Sequence, residues 1–209
     1  AGVEPVEAQY WADFTAGQLG SALQFSEMGL YRAKCQLIEQ LAGLTAQTVL
    51  ESAASITAWS KGYAGSYLKA HPGRSQAQAT RLGYECILQM IAHAFHHALR
   101  ISADPNQAWT CPDQTAAISS LARRYDPWAC SQAIRATWRA QTTLTHNVNP
   151  ALIFEALMLD YLDYAHSVSK MGITDERPVC RDIAKRLRKQ YLCRKIRNTT
   201  PKTPRLRLR

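Results

Sequence analysis

The run LGYECILQMIAHAFHHALRI, Leu82 to Ile101, is apolar around most of a helical circumference. Leu82, Cys86, Ile87, Met90, Ile91, Ala94, Phe95, Ala98, Leu99 and Ile101 recur at three- and four-residue spacings, which place side chains on neighbouring turns of one helix. So broad an apolar surface cannot be covered by one neighbour, and the run predicts a helix near the middle of a bundle. Helical periodicity continues on both sides. Upstream, Leu23, Leu30, Leu37, Ile38, Leu41 and Leu44 fall on one stripe and predict a single long helix from about Ser21 to Leu44. Val49, Leu50, Ala53, Ile56, Trp59, Tyr63 and Tyr67 carry the pattern to about Leu68, and His71-Pro72-Gly73-Arg74-Ser75 breaks it.

Downstream of the central run comes a loop at about 102–112, then an expected helix from Asp113 to about Tyr125. Asp126-Pro127 caps the next one, whose expected inner face carries Trp128, Ala133, Ile134, Trp138, Gln141 and Leu144. At Asn147-Val148-Asn149-Pro150, the Asn149 side chain is placed to accept an orphan N–H, and Pro150 sits where no donor is needed. The helix it opens runs to about His166. No alternating β-branched run exceeds four or five residues, so the fold class is all-α.

Charge divides the chain sharply. The net is +9 over 209 residues, but from Lys170 to the end there are 14 basic and three acidic residues, a net of +11. The preceding 169 residues carry 11 basic and 13 acidic groups, a net of −2, so the body has no basic excess to offer a nucleic acid. In the tail, Ile183, Leu187, Tyr191, Leu192 and Ile196 form an apolar stripe amid Arg181, Lys185, Arg186, Arg188, Lys189, Arg194 and Lys195. A basic amphipathic helix of this kind suits DNA phosphates, an anionic surface or a partner's groove, and equally a solvated extension with no dedicated partner. The residues after Arg197 read as disordered. No apolar stretch reaches the ~18–20 residues that span a bilayer. Six cysteines without a CxxC pair read as free, mostly buried thiols of a reducing cytoplasm.

Two stretches are specific. Phe14-Thr15-Ala16-Gly17-Gln18-Leu19-Gly20-Ser21-Ala22-Leu23, followed by a Leu-rich helix, resembles the glycine-bearing turn that opens the lid domain of clamp-loader AAA+ proteins. Asn147-Val148-Asn149-Pro150-Ala151-Leu152-Ile153-Phe154-Glu155-Ala156-Leu157-Met158-Leu159 is similar to the N-x-N-P-x-L-x-x-E-x-L-L helix closing the collar domain of bacterial DNA polymerase III delta-prime and gamma/tau subunits. The lid-turn residues are thus Gly17, Gly20 and Ser21, and the collar-helix residues Asn147, Asn149, Pro150 and Glu155. Gly17 and Gly20 allow a positive φ or a close backbone approach at the turn.

Where ATPase members of the family place a phosphate-reaching arginine, this chain has Ser21, which supplies no cation. That departure fits the non-hydrolysing delta-prime type better than gamma/tau. The resemblance covers about residues 8–166 and implies the C-terminal part of such a subunit, beginning Ala1-Gly2-Val3 as a fragment whose nucleotide-binding domain is missing. The expected organisation is a helical lid segment at 1–46, a collar-like bundle at 47–168 and a basic tail at 169–209. It also implies gamma/tau and delta subunits as partners through the collar, no catalysis and a cytoplasmic location. A free-standing helical nucleic-acid-binding protein acting through its tail is the alternative.

Other chemistry finds less support. No G-x-x-x-x-G-K-[ST] phosphate loop occurs, and no cofactor is expected. His93 and His97, four apart, are placed to share a metal on one helical face, but the pattern lacks the glutamate of H-E-x-x-H and any acidic residue in the adjoining turns. They are read as a cluster on the helical surface or at a core edge, not as a metal site. Cys180 and Cys193 lack a second ligand pair for zinc. Asp160 and Asp163 read as solvated helix residues, and the five tryptophans, Trp11, Trp59, Trp109, Trp128 and Trp138, as core and inter-helix packing.

Overall fold

The computed structural model describes residues 3–103, 114–146 and 148–168. These form eight helices in chain order: α1 (Pro5–Phe14), α2 (Leu19–Glu27), α3 (Leu30–Ala42), α4 (Val49–Ala70), α5 (Gln76–Ala103), α6 (Thr115–Arg124), α7 (Pro127–Thr143) and α8 (Pro150–Val168). Among the described residues there is no strand, so the chain is all-α. No helix among them is long and apolar enough to cross a membrane.

The central position expected of the Leu82 to Ile101 run is where α5 lies. It packs against α3, α4, α6 and α7, while α8 closes the body against α4 and α7. Ile87, Leu88, Ile91, Phe95 and Ala98 of α5 are fully buried, consistent with neighbours on most of its circumference. Burying each large apolar side chain contributes about 1.5–3 kcal/mol. The same hydrophobic cluster takes in Tyr10 and Trp11 of α1 and Leu37, Ile38 and Leu41 of α3.

Caps set the register of the later helices. The Asp126 carboxylate accepts the Ala129 N–H at 2.7 Å with Pro127 at the first helical position, as its sequence requires. Asn149 does the same for α8, its Oδ1 accepting the Ala151 N–H at 3.1 Å ahead of the helix opened by Pro150. At the other polarity, Arg124 donates from Nη1 to the Ala42 carbonyl at 3.2 Å and from Nη2 to that of Leu44. A guanidinium there satisfies carbonyls left open where α3 ends and complements the helix dipole.

Two expectations need correction. The single helix from Ser21 to Leu44 is two, α2 and α3, because Gly29 adopts φ +66°, a left-handed conformation that a continuing helix cannot contain. Leu23 is consequently not on the core stripe and is 48% exposed. The expected inner face of α7 is right in part: Ala133 is buried and Ile134 and Leu144 pack against the core, but the two tryptophans are not inside. Ala129, Cys130, Ala133, Ala136 and Ala140 are buried, whereas Trp128 and Trp138 are 56% and 61% exposed. The body selects small residues on α7 because that helix is wedged between α5 and α8.

Candidate functional site

The two exposed tryptophans of α7 belong to one stripe. Trp128, Arg135, Trp138 and Thr142 are spaced by seven, three and four residues, so they share a helical face, and all four are exposed. Arg139 adjoins them and donates from Nη2 to the Tyr164 hydroxyl on α8 at 3.2 Å. The Trp128 ring meets Tyr164 edge-on at a centroid distance of 6.4 Å. The result is an aromatic and cationic surface spanning α7 and α8. Its residue types, Trp, Tyr and Arg, are those that anchor protein interfaces. Sequence reading missed it by counting Trp128 and Trp138 as core.

The lid-turn residues are dispersed in role. Gly17 has φ +80° in the turn after α1, following Ala16 at φ +51°, so this position does use glycine's freedom. Gly20 does not: it lies inside α2, with nothing near the position a Cβ would take. Ser21 is half-buried and donates to Gln18 Oε1 at 3.4 Å, a local contact within the turn. Of the collar-helix residues, Asn149 and Pro150 open α8 and Glu155 is partly exposed on it. Asn147 lies outside the described residues, as do Asp113, Trp109, Cys111, Cys180, Cys193 and the basic positions Arg181, Lys185, Arg186, Arg188, Lys189, Arg194 and Lys195. Asp160 and Asp163 are partly exposed on α8. Cys86 and Cys130 are buried free thiols, each pushed up to about 12 by burial, so neither is a ready nucleophile.

A second constellation joins α1 to α5. His93 and His97 face each other with Nε2 atoms 3.2 Å apart, and Asp13 Oδ2 lies 3.4 Å from the first and 3.6 Å from the second. Sequence reading found the histidines and no acidic neighbour, because Asp13 arrives from another helix. The rings of Tyr10 and Phe14 meet His93 edge-on at 5.7 and 5.4 Å. Lys34, fully buried, sits nearby with Nζ 4.3 Å from the centroids of both Tyr10 and Tyr31, donating to Gln114 Oε1 at 3.1 Å.

Burial pushes His97 down to about 4, and the positive charge that His93, Arg100 and His96 would bring reinforces this against the pull of Asp13. His93 is lowered too, first by burial and also by His96 and Lys34, with Asp13 again opposing. A histidine with a folded pKa below its unfolded value stabilises the fold fully above about pH 6.5, and that stability drains as pH falls from 6.5 towards 4. From His97 alone, chelator-treated protein should be about 2 kcal/mol less stable at pH 5 than at pH 7. Urea denaturation at the two pH values measures this, and equal midpoints would contradict it.

Comparison with known proteins adds one finding. Residues 76–163 match the family model described as DNA polymerase III, delta subunit, C terminal. The match takes in α5, α6, α7 and most of α8, the helices that build the centre of the body and the Trp/Arg surface, and covers less than half of the chain. It points to the C-terminal family of the DNA polymerase III delta subunit. No curated protein and no solved structure matches the chain significantly.

Proposed function

We propose that this chain is the collar-forming part of a DNA polymerase III clamp-loader subunit, a non-catalytic piece that helps hold the subunits together while the sliding clamp is loaded. The observation that carries this reading is the match of residues 76–163, the segment that contains the exposed Trp128 and Trp138. A helix that buries alanines inward and presents tryptophans outward has its large apolar area available to a partner. The partner is a neighbouring collar of the gamma/tau type. The Asn149-Pro150 helix and the Ser21 turn support a delta-prime assignment and the family match supports delta; in either case the chain meets gamma/tau. The lid segment at 1–46, the collar at 47–168, the tail at 169–209 and a cytoplasmic location belong to the same proposal.

Size-exclusion chromatography of the chain with gamma/tau tests it. Co-elution is expected, and Trp138→Asp, at an exposed position, should weaken it by about tenfold or more, the cost of losing one interface anchor. Absence of association with gamma/tau, delta and delta-prime alike would overturn the reading.

The tail supports an additional role. Its net charge of +11 from Lys170 onward favours contact with DNA phosphates beside the collar function. A chain ending at Val168 should then bind DNA more weakly and with a shallower salt dependence than the full chain.

A further inference from the structure

We propose that Asp13, His93 and His97 form a zinc site that fastens the N-terminal helix α1 to the central helix α5. The donor atoms are the first argument. Their three separations, 3.2, 3.4 and 3.6 Å, describe a nearly equilateral triangle. Zinc sits about 2.0–2.1 Å from imidazole nitrogen and about 2.0–2.2 Å from carboxylate oxygen. In a tetrahedron those bond lengths require ligand atoms about 3.3–3.5 Å apart, whereas adjacent ligands of an octahedron lie only about 3.0 Å apart. The observed triangle is one face of the tetrahedron, and the fourth vertex falls to a water molecule.

Donor chemistry narrows the ion in the same direction. Two imidazoles and one carboxylate suit zinc and other divalent transition metals, ferrous iron included, while magnesium and calcium prefer all-oxygen shells; the tetrahedral spacing selects zinc among them. Burial favours the neutral form of both histidines, which is the form that ligates. Asp13 supplies the negative charge, and the Tyr10 and Phe14 rings restrict water around His93. Against a cation stand Lys34 and Arg100, which lower the affinity of the site. His96, the remaining ionisable neighbour, adds to that opposition only when protonated.

The consequence lies in the attachment of α1. Two ligands come from adjacent turns of α5 and the third from the last turn of α1, so the ion joins segments distant in sequence. Binding only the folded arrangement, it stabilises that arrangement by mass action. The site is separate from the α7/α8 surface and stands independently of the clamp-loader proposal.

The test uses the full chain, freed of metal with chelator and titrated with zinc chloride by calorimetry. One zinc per chain at micromolar affinity is expected, with a rise in Tm on saturation. Cobalt in its place should give the strong visible absorption of four-coordination and no thiolate-to-cobalt band, which excludes the cysteines as ligands. Asp13→Asn, which preserves side-chain shape and is partly exposed, should keep the helical circular dichroism and weaken zinc binding by about tenfold or more. His93→Gln should do likewise. Absence of zinc binding at micromolar concentrations overturns the proposal, as does a stoichiometric site unaffected by both substitutions; the three side chains would then be a hydrogen-bonded cluster only.

Discussion

Gly83→Leu should destabilise the chain by at least about 3 kcal/mol, while Gly62→Ala and Gly65→Ala should stabilise it by about 0.5–1 kcal/mol each. All three glycines are helical, and propensity alone assigns every one of them the same sign. The tertiary setting reverses it at Gly83. A Cβ there would lie 2.5 Å from the Ser60 carbonyl oxygen and 3.1 Å from the Ser60 Cα, both backbone atoms of α4. Side chains can rotate aside, but α4 as a whole would have to retreat. Ser60 is fully buried and its hydroxyl donates to the Ile56 carbonyl at 2.8 Å, so the opposing helix is closely fitted at this point. Gly62 and Gly65 lie exposed on α4 with nothing within 4 Å of the position a methyl would take, and substitution there only restricts the unfolded chain and favours the helix. Urea midpoints for the four proteins, including the parent chain, measure both signs; Gly83→Leu unfolding at the parent midpoint would show that α4 and α5 do not approach as described.

Gly83 also shows where sequence reading has its limit. The apolar period from Leu82 to Ile101 places α5 at the centre, since burial on most sides is written in composition along one helix. Which helix approaches at Gly83 depends on Ser60, and no local pattern records that pairing. The same divide explains α7. A pattern of hydrophobic residues ranks Trp128 and Trp138 above Ala133 and Ala136 as core candidates, yet the space between α5 and α8 admits only small side chains. The capping signals at Asp126-Pro127 and Asn149-Pro150 are legible because each is satisfied by a backbone N–H two or three residues away. At Gly29 a local signal is present too. The Gly29 N–H bonds to the Ser26 carbonyl at 3.0 Å in a helix-ending turn, but the seven-residue spacing of Leu23, Leu30 and Leu37 bridges it. The candidate zinc site divides similarly: His93 and His97 declare themselves at i and i+4, and Asp13 joins them only through the packing of α1.

Phe95→Ala should cost about 3–5 kcal/mol, a large share of the roughly 5–15 kcal/mol by which a domain is stable. The side chain is fully buried in α5, its ring 5.1 Å from Tyr125 at 81° and 4.9 Å from Tyr161 at 57°. Truncation removes both aromatic contacts and opens a cavity bounded by α6 and α8, whose rings cannot collapse freely inward. Tyr161 is held by its hydroxyl, which shares a hydrogen bond of 2.6 Å with the Thr137 hydroxyl, itself tied to the Ala133 carbonyl at 2.8 Å. That chain of contacts connects Phe95 to α7, the helix presenting Trp138. The midpoint of thermal unfolding should therefore fall by about 6–20 °C, since each kcal/mol is worth roughly 2–4 °C in a chain of this size. Phe95→Leu, which keeps most of the volume, should lose less than half as much. If the α7/α8 surface is the assembly surface, Phe95→Ala should weaken co-elution with gamma/tau only as far as it unfolds the chain, whereas Trp138→Asp should weaken it with the fold intact. An equal thermal loss for the two substitutions would place Trp138 inside the core, contrary to its 61% exposure.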